Sequence, residues 1–273
     1  MFEPRQFRLL IPLAVFAATI NLQAARAQAP TSPAPAQALS APAQVLASSV
    51  AEGKLTYIMF YNQSNARTTV LFDTIKATSA KQPTTTWATV RISDPNERPV
   101  AEKFQVTRAP MPMVVAVHPN GAVTGFYAMK ATEPELLNCL VSPKKAECMK
   151  ALQNNQLVLV CVAPNVESAV PAGVEAFQTD PHFGVRTRIV HVNSSDPVEA
   201  SFVTGMELDP RTSEAVTVFL APPGVVVGKF PINATKDQLA AKLAAAGKCC
   251  DDEKCQHNKA APKSTARPGK VTQ

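Results

Sequence analysis

The feature that most constrains the fold of this 273-residue chain is an internal repeat. The tripeptide Ser-Asp-Pro at residues 93–95 returns at 195–197, and the apolar run at residues 55–61 returns at 157–163, so both pairs are 102 residues apart. Solenoid repeats are about 20–50 residues long, whereas a period of about 100 residues has the size of a domain. The sequence therefore predicts a duplicated domain, whose halves we call copy one and copy two, joined near residues 152–156.

Each copy has the same predicted order of elements: strand, helix, strand, helix, hairpin and helix. In copy one, the run at residues 55–61 has the length and the aromatic content of a buried strand. The predicted apolar face of the helix after it consists of Val70, Leu71, Ile75 and Thr78. The His-Pro-Asn-Gly sequence at residues 118–121 predicts a hairpin turn, and Thr132 with Glu135 predicts a capping box on the last helix. The expected fold class is α/β, with a mixed central sheet flanked by helices in each copy.

The run from residue 90 to 127 carries a resemblance to a known family. Its sequence, VRISDPNERPVAEKFQVTRAPMPMVVAVHPNGAVTGFY, resembles the part of thioredoxins in which a strand ends in an acidic turn and a short helix follows. A proline then opens the next strand and a glycine turn closes it. The resemblance implies two thioredoxin-like domains, residues 52–153 and 154–248. It also implies a cis-proline at Pro112, with Pro110 as the alternative position.

The residues that carry thioredoxin redox chemistry are absent from both copies. That chemistry needs two cysteines, two residues apart, at the start of the first helix, where the helix N-terminus lowers a thiol pKa. The corresponding residues 164–167 of copy two read Pro-Asn-Val-Glu, and those of copy one are Asn62, Gln63, Ser64 and Asn65. Because disulfide exchange requires a thiolate, we expect neither copy to exchange disulfides at this position.

In this respect the chain resembles the redox-inactive domains of protein disulfide isomerases, and that resemblance implies a groove for a protein or peptide partner. The implied groove residues are Asn62, Gln63, Ser64, Asn65, Met111 and Pro112. No phosphate-binding glycine loop, nucleophile elbow or His-Glu-x-x-His motif occurs, and we expect no cofactor.

Five of the six cysteines form two groups of candidate disulfide or metal sites. Cys139 and Cys148 bracket a predicted turn between two helical segments, so they are candidates for a disulfide in an oxidising compartment. Cys161 lies in a predicted buried strand and is expected to be a core residue. The second group, near the C-terminus, consists of Cys249, Cys250, Cys255 and His257. Three interpretations of this group stay open: structural disulfides that hold the last helix, a zinc or copper site, and a redox-active tail.

The N-terminus predicts export. Arg5 and Arg8 precede an apolar run at residues 9–22, and an Ala-Arg-Ala tripeptide follows it. The run is shorter than the roughly 20 apolar residues of a membrane-spanning helix. We therefore expect residues 1–27 to be a signal peptide that is cleaved before Gln28, with no transmembrane anchor afterwards and a periplasmic or secreted location.

Composition and charge indicate the nature of the remaining segments and limit the possible partners. Residues 28–51 are rich in proline and alanine and are expected to form a disordered linker, and residues 249–273 a basic tail with cysteines. Of the net charge of +6, residues 1–27 contribute +2 and residues 248–273 contribute +3. The nearly neutral body gives no electrostatic basis for binding nucleic acid. The sequence thus favours an exported, non-enzymatic binding protein with a protein or peptide partner. The alternative is a thiol–disulfide oxidoreductase or metal-handling protein that uses the C-terminal cysteines.

Overall fold

The computed structural model of the chain describes residues 39–164, 170–211 and 214–248. The elements of copy one are α1 (Ala41–Ala51), β1 (Leu55–Tyr61), α2 (Ala66–Lys81), β2 (Thr85–Arg91), α3 (Arg98–Lys103), β3 (Met113–Val117), β4 (Val123–Ala128) and α4 (Glu133–Leu137). Those of copy two are α5 (Pro143–Gln153), β5 (Leu157–Ala163), α6 (Ala172–Gln178), β6 (Thr187–Asn193), α7 (Ala200–Gly205), β7 (Val216–Ala221), β8 (Val225–Pro231) and α8 (Lys236–Lys248). The predicted signal peptide and the predicted tail from residue 249 lie outside the described residues.

The two copies have the same sheet topology. The strand order is β2-β1-β3-β4 in copy one and β6-β5-β7-β8 in copy two. In each sheet the first two strands of the chain pair in parallel, the first hairpin strand pairs antiparallel with the central strand, and the two hairpin strands are antiparallel to each other. Leu55 pairs with Thr85, and Leu157 pairs with Thr187, so the register is repeated as well. This order and connectivity, a strand–helix–strand unit followed by a hairpin and a helix, is that of the thioredoxin fold. The prediction of two thioredoxin-like domains, each with a mixed sheet, is confirmed.

The central strands explain why the apolar runs of the sequence are continuous. All residues of β5 are buried, and in β1 only Tyr61 at the end is partly exposed. A strand covered by helices on both faces needs apolar side chains on both, so its sequence does not alternate.

Helix α2 buries a slightly different face from the predicted one. Leu71, Ile75 and Thr78 are buried as expected, together with Thr68. Val70, in contrast, is 67% exposed. Each helical residue is turned about 100° from its neighbour, so Val70 lies off the stripe that Thr68 and Leu71 direct to the sheet.

Residues 41–51 form helix α1, so the prediction of a disordered linker over residues 28–51 is wrong for this part. Ala43 and Leu46 pack against the core of copy one. On the same helix, Ser49 accepts a buried hydrogen bond of 2.6 Å from Thr56 in β1. Alanine is the best helix former, and contacts with the sheet stabilise a helix whose sequence alone carries a weak signal.

Helix α5 occupies in copy two the place that α1 occupies in copy one. Cys148, Ala151 and Leu152 on α5 belong to the hydrophobic core that contains Val158 and Val160 of β5. The structural unit therefore begins with the helix before each sheet, at Ala41 and Pro143, which is 11 residues before the predicted domain starts at 52 and 154. Within the part of the chain that the structure describes, no helix is both long and apolar enough to cross a membrane.

Candidate functional site

The proline predicted to be cis is cis in the structure. The Met111–Pro112 peptide bond is cis, which selects Pro112 over Pro110. Pro112 is buried at the start of β3, and Met111 is partly buried against the core of copy one. The carbonyl oxygen of Pro112 accepts a hydrogen bond of 2.6 Å from the backbone N–H of Met129, which follows β4. This bond joins the loop before β3 to the loop after β4.

The four exposed residues before α2 form a turn that caps the helix. Asn65 is the N-cap, and its Oδ1 accepts hydrogen bonds from the backbone N–H groups of Arg67 (3.0 Å) and Thr68 (3.1 Å). The Thr68 hydroxyl donates to the carbonyl oxygen of Gln63 at 2.9 Å. In a redox-active thioredoxin site the free N–H groups of this helix end stabilise a thiolate. Here the neutral amide oxygen of Asn65 accepts hydrogen bonds from two of them.

A cleft of about 530 Å³ lies beside this turn. Its walls come from α2 and from the loop after β4, and its lining residues are Ala66, Arg67, Val70, Leu71, Met129, Lys130 and Ala131. None of the six predicted groove residues is among them. Asn65 directly precedes the α2 wall, and Pro112 is hydrogen-bonded to the opposite wall through Met129. Asn65 and Pro112 thus adjoin the two walls of the cleft, whereas the residues that line it were not identified from the sequence.

Met129 has an unusual backbone conformation. Its φ is 70°, in the left-handed region that favours glycine. A residue with a side chain adopts this conformation at a cost of about 1–2 kcal/mol. Its N–H bond to Pro112 and the capped helix after it hold this geometry, so the Met129 side chain is kept at the cleft.

The charges that line the cleft are both positive. Among the described residues, neither Arg67 nor Lys130 has a carboxylate within ion-pair distance. The nearby Glu135 carboxylate is engaged instead in the predicted capping box, where it accepts from the Thr132 N–H and hydroxyl, both at 2.8 Å. These hydrogen bonds lower the Glu135 pKa below its ordinary value, and the charge of Lys130 adds a smaller effect. The cleft is therefore apolar with a positive rim.

The described cysteines are free and buried. Cys139 lies in the core of copy one and Cys148 in the core of copy two, so the candidate disulfide between them is wrong. The reason is that α5, which carries Cys148, turns its apolar face to the second sheet. Cys161 is a core residue, as predicted.

Burial sets the chemistry of these three thiols. It raises the pKa of Cys139 and Cys161, and together with the nearby Glu147 and Glu199 it raises the pKa of Cys148 to about 12. Buried thiols with raised pKa values are inert as nucleophiles. Among residues 39–164, 170–211 and 214–248, no cluster of three metal-ligating side chains occurs. The remaining candidates, Cys249, Cys250, Cys255 and His257, lie outside the described residues.

Copy two differs from copy one at the corresponding place. No proline precedes β7 where Pro112 precedes β3, because Ala215 stands there. A second cis bond, Pro222–Pro223, lies instead in the turn between β7 and β8. Of the predicted tetrad at residues 164–167, only Pro164 is described, and it is exposed. The cleft described above therefore belongs to copy one.

Comparisons with known proteins give similarity in fold. No protein-family model matches the chain, and no curated protein matches it. Thioredoxin from Fasciola hepatica is similar at 22% identity over 35% of this chain and 88% of its own, with a TM-score of 0.29. The first two thioredoxin domains of Saccharomyces cerevisiae Eps1p are 13% identical over 73% of this chain and 92% of their own, with a TM-score of 0.29. The zinc-bound form of human ERp44 is 11% identical over 74% of this chain and 58% of its own, with a TM-score of 0.32.

Proposed function

We propose that this chain is an exported binding protein, in which the cleft of copy one holds a polypeptide segment and no thiol–disulfide exchange takes place there. The observation that carries the proposal is the closed N-terminus of α2. The Asn65 amide oxygen accepts from the N–H groups of Arg67 and Thr68, at the position where a redox enzyme of this fold presents a thiol.

The surroundings of this helix end support binding over catalysis. Among the described residues no cysteine, histidine or carboxylate lines the cleft, so its lining offers no thiol for disulfide exchange. What it offers is apolar surface. Exposed apolar side chains next to a concave wall are typical of sites that recognise another molecule.

Export rests on the signal pattern of the first 27 residues. Expression in a secreting bacterial host followed by N-terminal sequencing tests it. A mature chain that starts at Gln28 agrees with the proposal, and secreted material that retains Arg5 and Arg8 contradicts it.

A pair of matched substitutions tests binding at the cleft. Val70→Asp places a charge on the cleft wall, whereas Val185→Asp makes the same change at a valine of copy two that is 91% exposed. We expect fluorescently labelled peptides derived from an unfolded protein to bind the wild type and Val185→Asp equally, and Val70→Asp at least about tenfold more weakly, which corresponds to about 1.4 kcal/mol. Equal binding by all three proteins would remove the cleft from the proposal.

One observation bears on the alternative function, which is that of an oxidoreductase or metal-handling protein that uses the C-terminal cysteines. Three of the six cysteines are buried thiols, which leaves three in the C-terminal tail. Since buried thiols are inert as nucleophiles, thiol chemistry or metal binding in this chain would have to use the three C-terminal cysteines. If the protein reduces insulin at a thioredoxin-like rate and Cys250→Ser or Cys255→Ser abolishes that activity, the protein is an oxidoreductase and the binding hypothesis is wrong. If the tail thiols are protected from a thiol reagent only when zinc or copper is present, the protein is a metal-handling protein and the binding hypothesis is wrong.

A further inference from the structure

The composition of the copy-one cleft indicates which polypeptide segments it accepts. Resting on the function proposed above, we infer that the cleft selects segments in which an acidic side chain lies beside apolar ones. Its apolar walls are contributed mainly by Val70, Leu71 and Met129, and its cations are Arg67 and Lys130.

The two cations make a purely apolar ligand unfavourable. Arg67 and Lys130 have no carboxylate partner among the described residues, so water solvates them in the free protein. A segment that fills the cleft removes part of this water, and a charge that loses its water without gaining a partner is costly. A carboxylate on the segment compensates for this loss, whereas a lysine or arginine on the segment adds repulsion.

Three carboxylates lie close in sequence to the cleft, and none pairs with its cations. Glu133 forms an ion pair of 2.9 Å with Lys81 on α2, and Glu135 is held in the capping box by Thr132. Asp73 on α2 does not line the cleft and forms no ion pair with either of its cations. The counter-charge therefore has to come with the ligand.

The free edge of β4 competes poorly as the docking place. Extended peptides often add to an exposed sheet edge through main-chain hydrogen bonds. At Val123, however, the Gln153 side chain already makes both of these bonds, accepting from the N–H at 2.9 Å and donating to the carbonyl at 2.7 Å. Strand addition is thus blocked at the start of β4, while the cleft beside α2 is open.

Selection from a random heptapeptide library displayed on phage tests the inference. The proteins compared are the full mature chain, the Val70→Asp variant, the double variant Arg67→Glu/Lys130→Glu, and a control double variant Lys76→Glu/Arg186→Glu. The control makes the same change in charge at two exposed residues that do not line the cleft and have no ion pair among the described residues. Thermal unfolding of each variant, followed by circular dichroism, verifies that it is folded.

The wild type and the control should enrich aspartate or glutamate next to leucine, isoleucine, valine, methionine or phenylalanine. The cleft variant should lose this enrichment. A synthetic peptide from the selection should bind the cleft variant at least about tenfold more weakly than the wild type, and raising the salt should weaken binding to the wild type.

Three other results overturn parts of the reasoning, and they can be told apart. Peptides without acidic preference whose binding is lost in Val70→Asp contradict the charge selectivity but agree with the proposed function. Acidic peptides that the cleft variant enriches equally well contradict the assignment to Arg67 and Lys130. If no peptide is enriched in a manner sensitive to Val70→Asp, the proposed function itself is wrong.

Discussion

Replacing Glu199 by alanine should destabilise the protein strongly, because this carboxylate holds the start of α5 to the start of α7 within copy two. Glu199 is only 3% exposed. Its Oε2 accepts a hydrogen bond of 2.5 Å from the Ser142 hydroxyl, and its Oε1 accepts one of 3.0 Å from the Lys144 N–H. Both donors belong to the first turn of α5, where the helix dipole also favours a negative charge.

The expected loss follows from these two bonds. A hydrogen bond to a charged group contributes about 1.5–3 kcal/mol, and bonds to one carboxylate are not additive. We therefore expect Glu199→Ala to lower the free energy of unfolding by about 3 kcal/mol. Glu199→Gln keeps one acceptor oxygen and loses the charge, so its cost should be smaller, at about 1–2 kcal/mol. Against a typical total of about 5–15 kcal/mol, either change is measurable.

Urea unfolding followed by far-ultraviolet circular dichroism measures both variants. The control is Glu102→Ala, because the Glu102 carboxylate forms an exposed ion pair with Arg98 at 2.8 Å. An exposed pair of this kind contributes little, so the control should lose less than about 1 kcal/mol. If Glu199→Ala costs no more than Glu102→Ala, or if Glu199→Gln costs as much as Glu199→Ala, the account of this contact is wrong.

Three further predictions follow from the described core and helix caps. The three buried thiols should react with a thiol reagent only after the protein is unfolded, and fast reaction of any of them in the native state would contradict their burial. Gly125→Ala should destabilise the protein by about 1–3 kcal/mol, because the new Cβ would lie 2.5 Å from the Cys139 Sγ. Adding Cys139→Ala should restore part of the lost stability, which urea unfolding measures. A double variant that is no more stable than Gly125→Ala would contradict this explanation. The Glu135 pKa is lowered from 4.5 by hydrogen bonds from Thr132, so the stability it adds should be present above about pH 4.5 and be lost as the pH falls through the lower, folded-state pKa. Glu135→Gln should remove this part of the pH dependence of the unfolding midpoint, and an unchanged profile would refute it.

Local chemistry in the sequence was enough to predict most of the fold. The continuous apolar runs around Leu55 and Leu157 mark strands buried on both faces, and the turn residues before Ala122 mark the hairpin. Both copies carry the same signals at the same offset, so the strands and turns predicted in one copy agree with those predicted in the other. The position of the cis-proline was predictable for the same reason, because the run around Pro112 matches a strand start followed by a glycine turn.

The features that sequence did not predict depend on which surface an element faces. Helix α1 is made of small residues with little amphipathic contrast, and it exists because copy one offers a sheet surface for it. Cys139 and Cys148 are close in the chain, but the turn between α4 and α5 sends them into different cores. The lining of the cleft was missed for a related reason. Val70 looks like a core residue by type, and the conformation of Met129 depends on a bond to Pro112, which lies 17 residues earlier.

The duplicated glutamates show how the copies diverged. Glu97 of copy one lies 102 residues before Glu199. The position equivalent to Lys144 in copy one is Pro42, which has no N–H to donate. Glu97 accepts instead from the backbone N–H of Arg91 at 2.5 Å. The same acidic residue therefore bonds the start of α5 in copy two and closes a local turn in copy one.

Helix α5 gives the second copy a direct role in supporting the cleft. Its apolar face completes the core of copy two, while its exposed side is bonded to the hairpin of copy one. Gln153 pairs with both main-chain groups of Val123, and the Lys150 ammonium donates to the carbonyl of Gly121 at 3.3 Å. Strand β4, which begins at Val123, leads directly into Met129 and the second wall of the cleft. Because the same helix is packed into one copy and bonded to the other, we expect a substitution that loosens α5 in the core of copy two also to loosen the start of β4, the strand that leads to Met129.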